Sequence, residues 1–299
     1  MGALALACAG AAAGCGTASD PARLQPDAGG RSFARLALLM TAPRDGGVTM
    51  AAAGRLLRYR GVDLDAAQIL AGTRDRERAA IGRCDVKIDK DDEAQLEDAL
   101  ATAPADATVQ MLDAGDLLVR LAGQTIKMSP RFVPDIVPFV SGVVYDGEVA
   151  ASDTFADLDL ASRDAAVVAF GGQQVGGFVT AAEVPVMPRL VSLAGTAADA
   201  NPGVDPGADL PLTWAAGDGH ATVTITVARD TGPSLRCRVL DVGHFTIPAG
   251  VLSRVADAAR GESLAVGIER SRRSPFTAPG VDTAEIEVTA RDVVTLRAD

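Results

Sequence analysis

The run LTWAAGDGHATVTITVARDTGPSLRCRVLDVGHFTI, residues 212–247, decides how the rest of the chain is read. Leu212 and Trp214 point one way. Beyond the turn Gly217-Asp218-Gly219-His220, Val223, Ile225 and Val227 alternate with Thr222, Thr224 and Thr226. Beyond Arg229-Asp230-Thr231-Gly232-Pro233-Ser234, Leu235, Cys237 and Val239 alternate with Arg236 and Arg238. Phe245 and Ile247 follow Asp241-Val242-Gly243-His244. Strict period-two alternation sets one row of side chains on a core and the other in water. The intervening Gly, Pro and Asp residues supply turn geometry. The stretch predicts three or four consecutive antiparallel strands, arranged as a meander, and it carries no chemistry of its own.

The same pattern extends both ways. Downstream, Leu264, Val266 and Ile268 form a strand, Ile286 and Val288, then Val294 and Leu296, make the last one, and Ala249 to Ala259 is a short helical turn stopped by Gly261. Upstream, alternation recurs at Leu36, Leu38 and Met40, at Val48 and Met50, at Cys84, Val86 and Ile88, and at Leu117, Val119 and Leu121. Further strands are predicted at Phe139 to Tyr145, at Ala166 to Phe170 and at Phe178 to Ala181. Asp63 to Leu70, stopped by Gly72, and Asp91 to Leu100, with acids at its amino end, predict short helices. Pro130, Pro134 and Pro138 exclude a central ladder position and predict an edge or a connection. Pro185 to Pro188 marks a transition. The expected fold class is all-β, with two antiparallel β-sandwich (immunoglobulin-like) domains and one or two short helices. The expected divisions are a leader and tether over 1–30, a first sandwich over 31–185 and an immunoglobulin-like sandwich over 186–299.

Length and composition agree with that division. The 299 residues are 48% apolar, yet only 8 Phe, 2 Tyr and 1 Trp contribute, so the cores are expected to be Val, Leu, Ile and Ala. The net charge of −11 repels phosphate backbones and argues against a nucleic-acid partner. Two arginine clusters run against that charge. Arg74, Arg76 and Arg78 are interleaved with Asp75 and Glu77, and Arg270, Arg272 and Arg273 fall in an expected hairpin loop. Both are read as solvated.

Residues 1–14 are almost wholly Ala, Gly and Leu, too short to anchor as a bilayer span. They end in Ala12-Ala13-Gly14-Cys15, followed by the polar run Gly16-Thr17-Ala18-Ser19-Asp20. Small residues before a cysteine, then a polar tether, resemble the lipobox of bacterial lipoproteins. Ala12 stands where Leu is usual, no basic residue leads, and Cys8, after Ala5-Leu6-Ala7, is a rival processing site. Together with the 212–248 segment, the leader resembles bacterial envelope lipoproteins that carry immunoglobulin-like sandwiches. The resemblance implies cleavage before Cys15, lipidation of that cysteine, and a membrane partner reached through the lipid. Outer-membrane anchoring and an envelope protein partner are the corresponding expectations. It implies no catalytic residue.

Candidate chemistry is sparse. Cys84 and Cys237 both lie in the inward phase of strands assigned to different domains, so no disulfide is predicted between them, the alternative being one that an oxidising periplasm would permit. His220 and His244 sit at turns and assemble no zinc set or triad. Gly171 to Gly177 lacks the spacing, the Lys and the following helix of a phosphate loop and is read as a loose hairpin loop. Asp89, Asp91 and Glu93 are the calcium candidates, but Lys87 and Lys90 interrupt the run and no glycine bends it, so a solvated helix start is the simpler reading. Trp214, Tyr59 and Tyr145 could serve a sugar site and are more simply core. No cofactor is expected. The first expectation is a non-enzymatic, lipid-anchored interaction or structural module. The alternatives are an extracytoplasmic hydrolase with its site in 31–185, or a calcium-stabilised adhesive module.

Overall fold

The computed structural model describes residues 30–44, 47–72, 80–87, 90–121, 123–137, 140–152, 164–200, 202–217, 221–229, 232–256 and 263–298. In chain order these form β1 (Arg31–Pro43), β2 (Val48–Arg60), α1 (Leu64–Leu70), β3 (Arg83–Lys87), α2 (Lys90–Thr102), β4 (Thr108–Met111), β5 (Leu117–Leu121), β6 (Gln124–Met128), β7 (Arg131–Val137), β8 (Val140–Ser152), β9 (Asp164–Ala169) and β10 (Phe178–Glu183). The chain continues through β11 (Leu190–Leu193), β12 (Thr196–Ala197), β13 (Gly203–Val204), β14 (Leu210–Trp214), β15 (Thr222–Ala228), β16 (Ser234–Leu240), β17 (His244–Ile247), α3 (Ala249–Ala256), β18 (Ser263–Phe276) and β19 (Thr283–Ala298).

An 11-stranded sheet is the base of the molecule, in the order β3-β16-β15-β18-β19-β1-β2-β4-β8-β7, with β13 beside β19. Two 4-stranded sheets complete the layers, β10-β9-β5-β6 and β12-β11-β14-β17. The first packs Leu117, Val119, Ile126, Val167 and Phe178 against Leu36, Leu38, Met50, Ile286 and Val288. The second packs Leu190, Leu212, Trp214 and Ile247 against Ile225, Leu235, Val266 and Leu296. Fully burying each large aliphatic side chain contributes about 1.5–3 kcal/mol, so the two sheet-on-sheet cores dominate stability. A third, smaller core lies on the other face of β1 and β2, where α1 and α2 cover Phe33, Leu57, Tyr59, Val109 and Met111. The fold is thus all-β, with stacked sheets and short helices.

The alternation read from residues 212–247 holds strand by strand. Leu210, Leu212 and Trp214 are buried, as are Val223, Ile225 and Val227, and Leu235, Cys237 and Val239. The meander does not hold. β15 and β16 form a hairpin in the large sheet, whereas β14 crosses to the covering sheet and pairs β17 there. The strands on either side of that pair, β14 and β17, both belong to the other layer. Alternation is satisfied by any sheet that offers one apolar face, so it does not name the neighbour.

Two local expectations are met by recognisable devices, and a further proline is explained by the ladder. Asp63 caps α1, its side chain accepting from the Ala66 N–H at 2.8 Å, and Gly72 follows the helix with φ +64. Pro134 lies in β7, the outermost strand beside β8, with a register break between Val133 and Val137; Pro130 precedes the strand, and Pro138 lies outside the described residues. Pro275 is tolerated in β18 because β15 pairs that strand only as far as Arg270, leaving one side without a ladder.

Two expectations are corrected. Arg270, Arg272 and Arg273 are not in a loop but in β18, and all three are paired: Arg270 with Asp241, Arg272 with Glu183, Arg273 with Glu285 and Glu287. The prediction of two free core thiols also fails. β3 lies antiparallel along β16 with Cys84 opposite Cys237, and the two form a disulfide. The assumption that failed was spatial: β3 comes from the first half of the chain but sits at the edge of the sheet that backs the second core. The other arginine cluster, Arg74 to Arg78, lies outside the described residues.

Candidate functional site

The chemistry-bearing side chains meet at a seam between the two cores. β19 supplies Ile286, Val288 and Ala290 to the first core and Val294 and Leu296 to the second, and Asp292 stands between them. β18 behaves alike: Leu264, Val266 and Ile268 are followed, in the same phase, by Arg270. Both polar residues therefore point into the interior where the covering sheet changes. The connection from β10 to β11 crosses here.

Arg270 is the hub. Its Nε and Nη2 donate to the two carboxylate oxygens of Asp241 at 2.6 and 3.0 Å. Nη1 donates to the carbonyl of Val186 at 3.1 Å and Nη2 to that of Ala215 at 2.6 Å. Trp214 Nε1 donates to Asp241 Oδ1 at 2.8 Å. The arrangement is bidentate and leaves neither charge uncompensated, the condition under which a buried ion pair is tolerated. Burial alone would raise the Asp241 carboxyl; the hydrogen bonds from Arg270 and Trp214 outweigh it and hold the group below the usual carboxylate range. Across the seam, Arg44 donates to Asp292 at 3.0 Å and also reaches Asp199 and the Leu190 carbonyl. Asp292 Oδ2 accepts the Leu190 N–H at 2.8 Å. The two clusters hold both ends of the crossing segment, Val186 and Leu190.

A second polar tie closes the first core. Tyr145 is fully buried, and its hydroxyl accepts from the Ala114 N–H at 2.8 Å and lies 3.3 Å from Asp113 Oδ1. The Asp113 carbonyl accepts from Gln174 and Val175, its N–H donates to Gln174 Oε1, and its carboxylate accepts from Gly115 and Gln173. The glycine run 171–177, expected to be a loose loop, is stitched to the 113–115 turn. Gly115 has φ +72, and a Cβ there would sit 2.5 Å from the Gly171 carbonyl oxygen, so the two turns approach too closely for any side chain. Burial pushes the Tyr145 phenol well above its ordinary value.

Of the residues singled out in the sequence, Trp214, Tyr59 and Tyr145 are all buried in cores. His244 opens β17 and is exposed; His220 lies outside the described residues. Cys15, Cys8 and Asp89 also lie outside them, as do the side chains of Asp91 and Glu93 on α2. Among the described residues no three His, Cys, Asp or Glu side chains are grouped to hold a metal ion, and no helix is long and apolar enough to cross a membrane, which says nothing of strands. Sequence reading set Arg270 in a solvated loop and missed Asp292, although the signal was present: each continues an inward apolar phase with a charge. Asp241 and Arg44 lie beyond the ends of alternating runs, and nothing in the pattern marks them.

No family model matches the chain, and no curated protein matches it. Among solved structures, one from work on host cell surface retention of a 1.5-MDa bacterial ice-binding adhesin aligns at 14% identity with a TM-score of 0.19. That alignment covers 88% of this chain and 64% of the adhesin chain, so the protein spans under two thirds of its length. Tandem immunoglobulin domains of titin align at 9% identity with a TM-score of 0.15, over 73% of this chain and 90% of theirs. Scores at that level carry no argument about function. The all-β architecture stands on the sheets themselves: one long base sheet, two covering sheets, and a buried polar seam where the covers meet.

Proposed function

We propose that the protein is a non-enzymatic, extracytoplasmic interaction or structural module, tethered to a bacterial membrane through lipid on Cys15. The Cys84–Cys237 disulfide carries the reading. Disulfides of this kind persist in oxidising compartments and are rare in the cytosol. The small residues before Cys15 and the polar run after it supply the anchor and the tether. The buried charged groups of the seam are held in structural bonds: Asp241, Arg270, Asp292 and Arg44 each bond a neighbouring strand or carbonyl.

Mass spectrometry of the native protein tests the anchor. The expected result is an acylated peptide beginning at Cys15; an unmodified Met1 or Gly2 terminus refutes it. Alkylation under denaturing, non-reducing conditions tests the compartment. Cys84 and Cys237 are expected to stay unlabelled until a reductant is added, and full labelling without it refutes the extracytoplasmic assignment. Affinity capture of envelope proteins with the soluble form from Gly16 then identifies the partner.

A further inference from the structure

The first and last described strands are neighbours inside the sheet. β1 and β19 run parallel, in register from Phe33 opposite Thr283 to Pro43 opposite Val293. Neither is an edge strand: β2 flanks β1, and β18 flanks β19. A pull on the amino end of β1 and the carboxyl end of β19 therefore acts along the strands in opposite directions. The ladder between them is loaded all at once, whereas an antiparallel hairpin pulled apart at its open end breaks one bond at a time.

Side chains pin the same pair against sliding at three levels. Ser32 N–H and Oγ donate to Asp282 Oδ2 at 2.7 and 2.9 Å, and the Asp282 N–H donates back to Ser32 Oγ at 2.9 Å. Arg35 on β1 pairs with Glu285 and Glu287 on β19. Arg44, just past β1, pairs with Asp292 on β19. The disulfide adds a stop, since Cys84 and Cys237 are 153 residues apart and the chain between them is a closed loop.

We propose that the chain is a tension-bearing link, with the β1–β19 pair as its clamp and the Cys84–Cys237 bond as the limit on its extension. The proposal rests on the tethered-module reading only for its two points of attachment, the membrane anchor and the envelope partner. The clamp belongs to the fold.

Single-molecule force spectroscopy on the full chain, with handles at both ends, tests it. A second preparation is pulled between a handle at exposed Ser263 and the carboxyl end, which draws Ser263 away from its partner Arg297 and unzips the β18–β19 hairpin. End-to-end unfolding is expected to need about threefold more force than unzipping at equal loading rate, because forced unfolding reads the barrier along the loaded direction. Asp282→Ala is expected to lower the end-to-end force and leave the unzipping force unchanged. Adding dithiothreitol is expected to lengthen full extension by about 500 Å, the reach of the loop it opens. Equal forces in the two geometries, or an extension indifferent to the reductant, overturns the proposal. Loss of the Cys15 lipid by mass spectrometry would sink the anchor reading and leave the force ratio untouched.

Discussion

The two sandwich cores close with the same device built from different chemistry. In each, a buried aromatic reaches an aspartate that bonds to a turn. Tyr145 meets Asp113 in the first core, through neutral donors and backbone amides. Trp214 meets Asp241 in the second, and there a buried arginine completes the pair. The tie at Tyr145 joins two turns at one end of a sandwich. The ionic tie sits at the seam and holds the segment that passes from one cover to the next. A buried charge is costly unless fully paired, so it punishes any register but the native one. The difference places the exacting interaction where a long shared sheet could otherwise slip.

The comparison can be broken most directly at Arg270. Arg270→Met leaves Asp241 buried and uncompensated, and a loss of about 3–5 kcal/mol in chemical denaturation is expected. A loss below 1 kcal/mol would mean that the seam is not held by this pair. Next comes the covalent element that the first core lacks. Replacing both Cys84 and Cys237 with Ala is expected to cost about 2–5 kcal/mol, chiefly by freeing the unfolded chain. An unchanged denaturation midpoint contradicts it. The tie at Tyr145 should be the weaker: Tyr145→Phe strands the Ala114 N–H in the interior, for a loss of about 1–3 kcal/mol.

Acid and alkali should separate the ties. Asp241 is held below the usual carboxylate range, so its contribution is complete above the unfolded value near 3.9 and is lost as pH falls through the native one. In that window the unfolded chain binds the extra proton. Arg270→Met should flatten the acid limb of stability against pH, and an unaltered limb would assign it elsewhere. Tyr145 is raised, so its contribution is complete below the unfolded value near 10 and is lost as pH climbs above it. Tyr145→Phe should flatten the alkaline limb and spare the acid one.

Much of this architecture was legible. Period-two alternation located β15, β16, β18 and β19 because one face of each is buried, and Asp63 and Gly72 bracketed α1 because caps are local. The seam was half legible. Arg270 and Asp292 sit at inward positions of apolar runs, a conflict that sequence displays openly. Their partners were not legible, because Asp241 and Arg44 lie outside the strands and reach the seam only through the path of the chain. The disulfide was hidden for the same reason: β3 carries a half-exposed cysteine into a sheet assembled mostly from the other half of the chain.

Sequence alone determined that this chain makes short amphipathic strands, with aliphatic cores, few aromatics and an acidic surface, since local alternation and composition need no partner to be read. Tertiary structure alone decided which strands touch: that β14 leaves its hairpin for the covering layer, that β1 lies parallel to β19, and that Cys84 meets Cys237. Every apolar face accepts many neighbours at nearly equal burial, and the choice among them is made by the few buried polar groups whose bonds close in one arrangement.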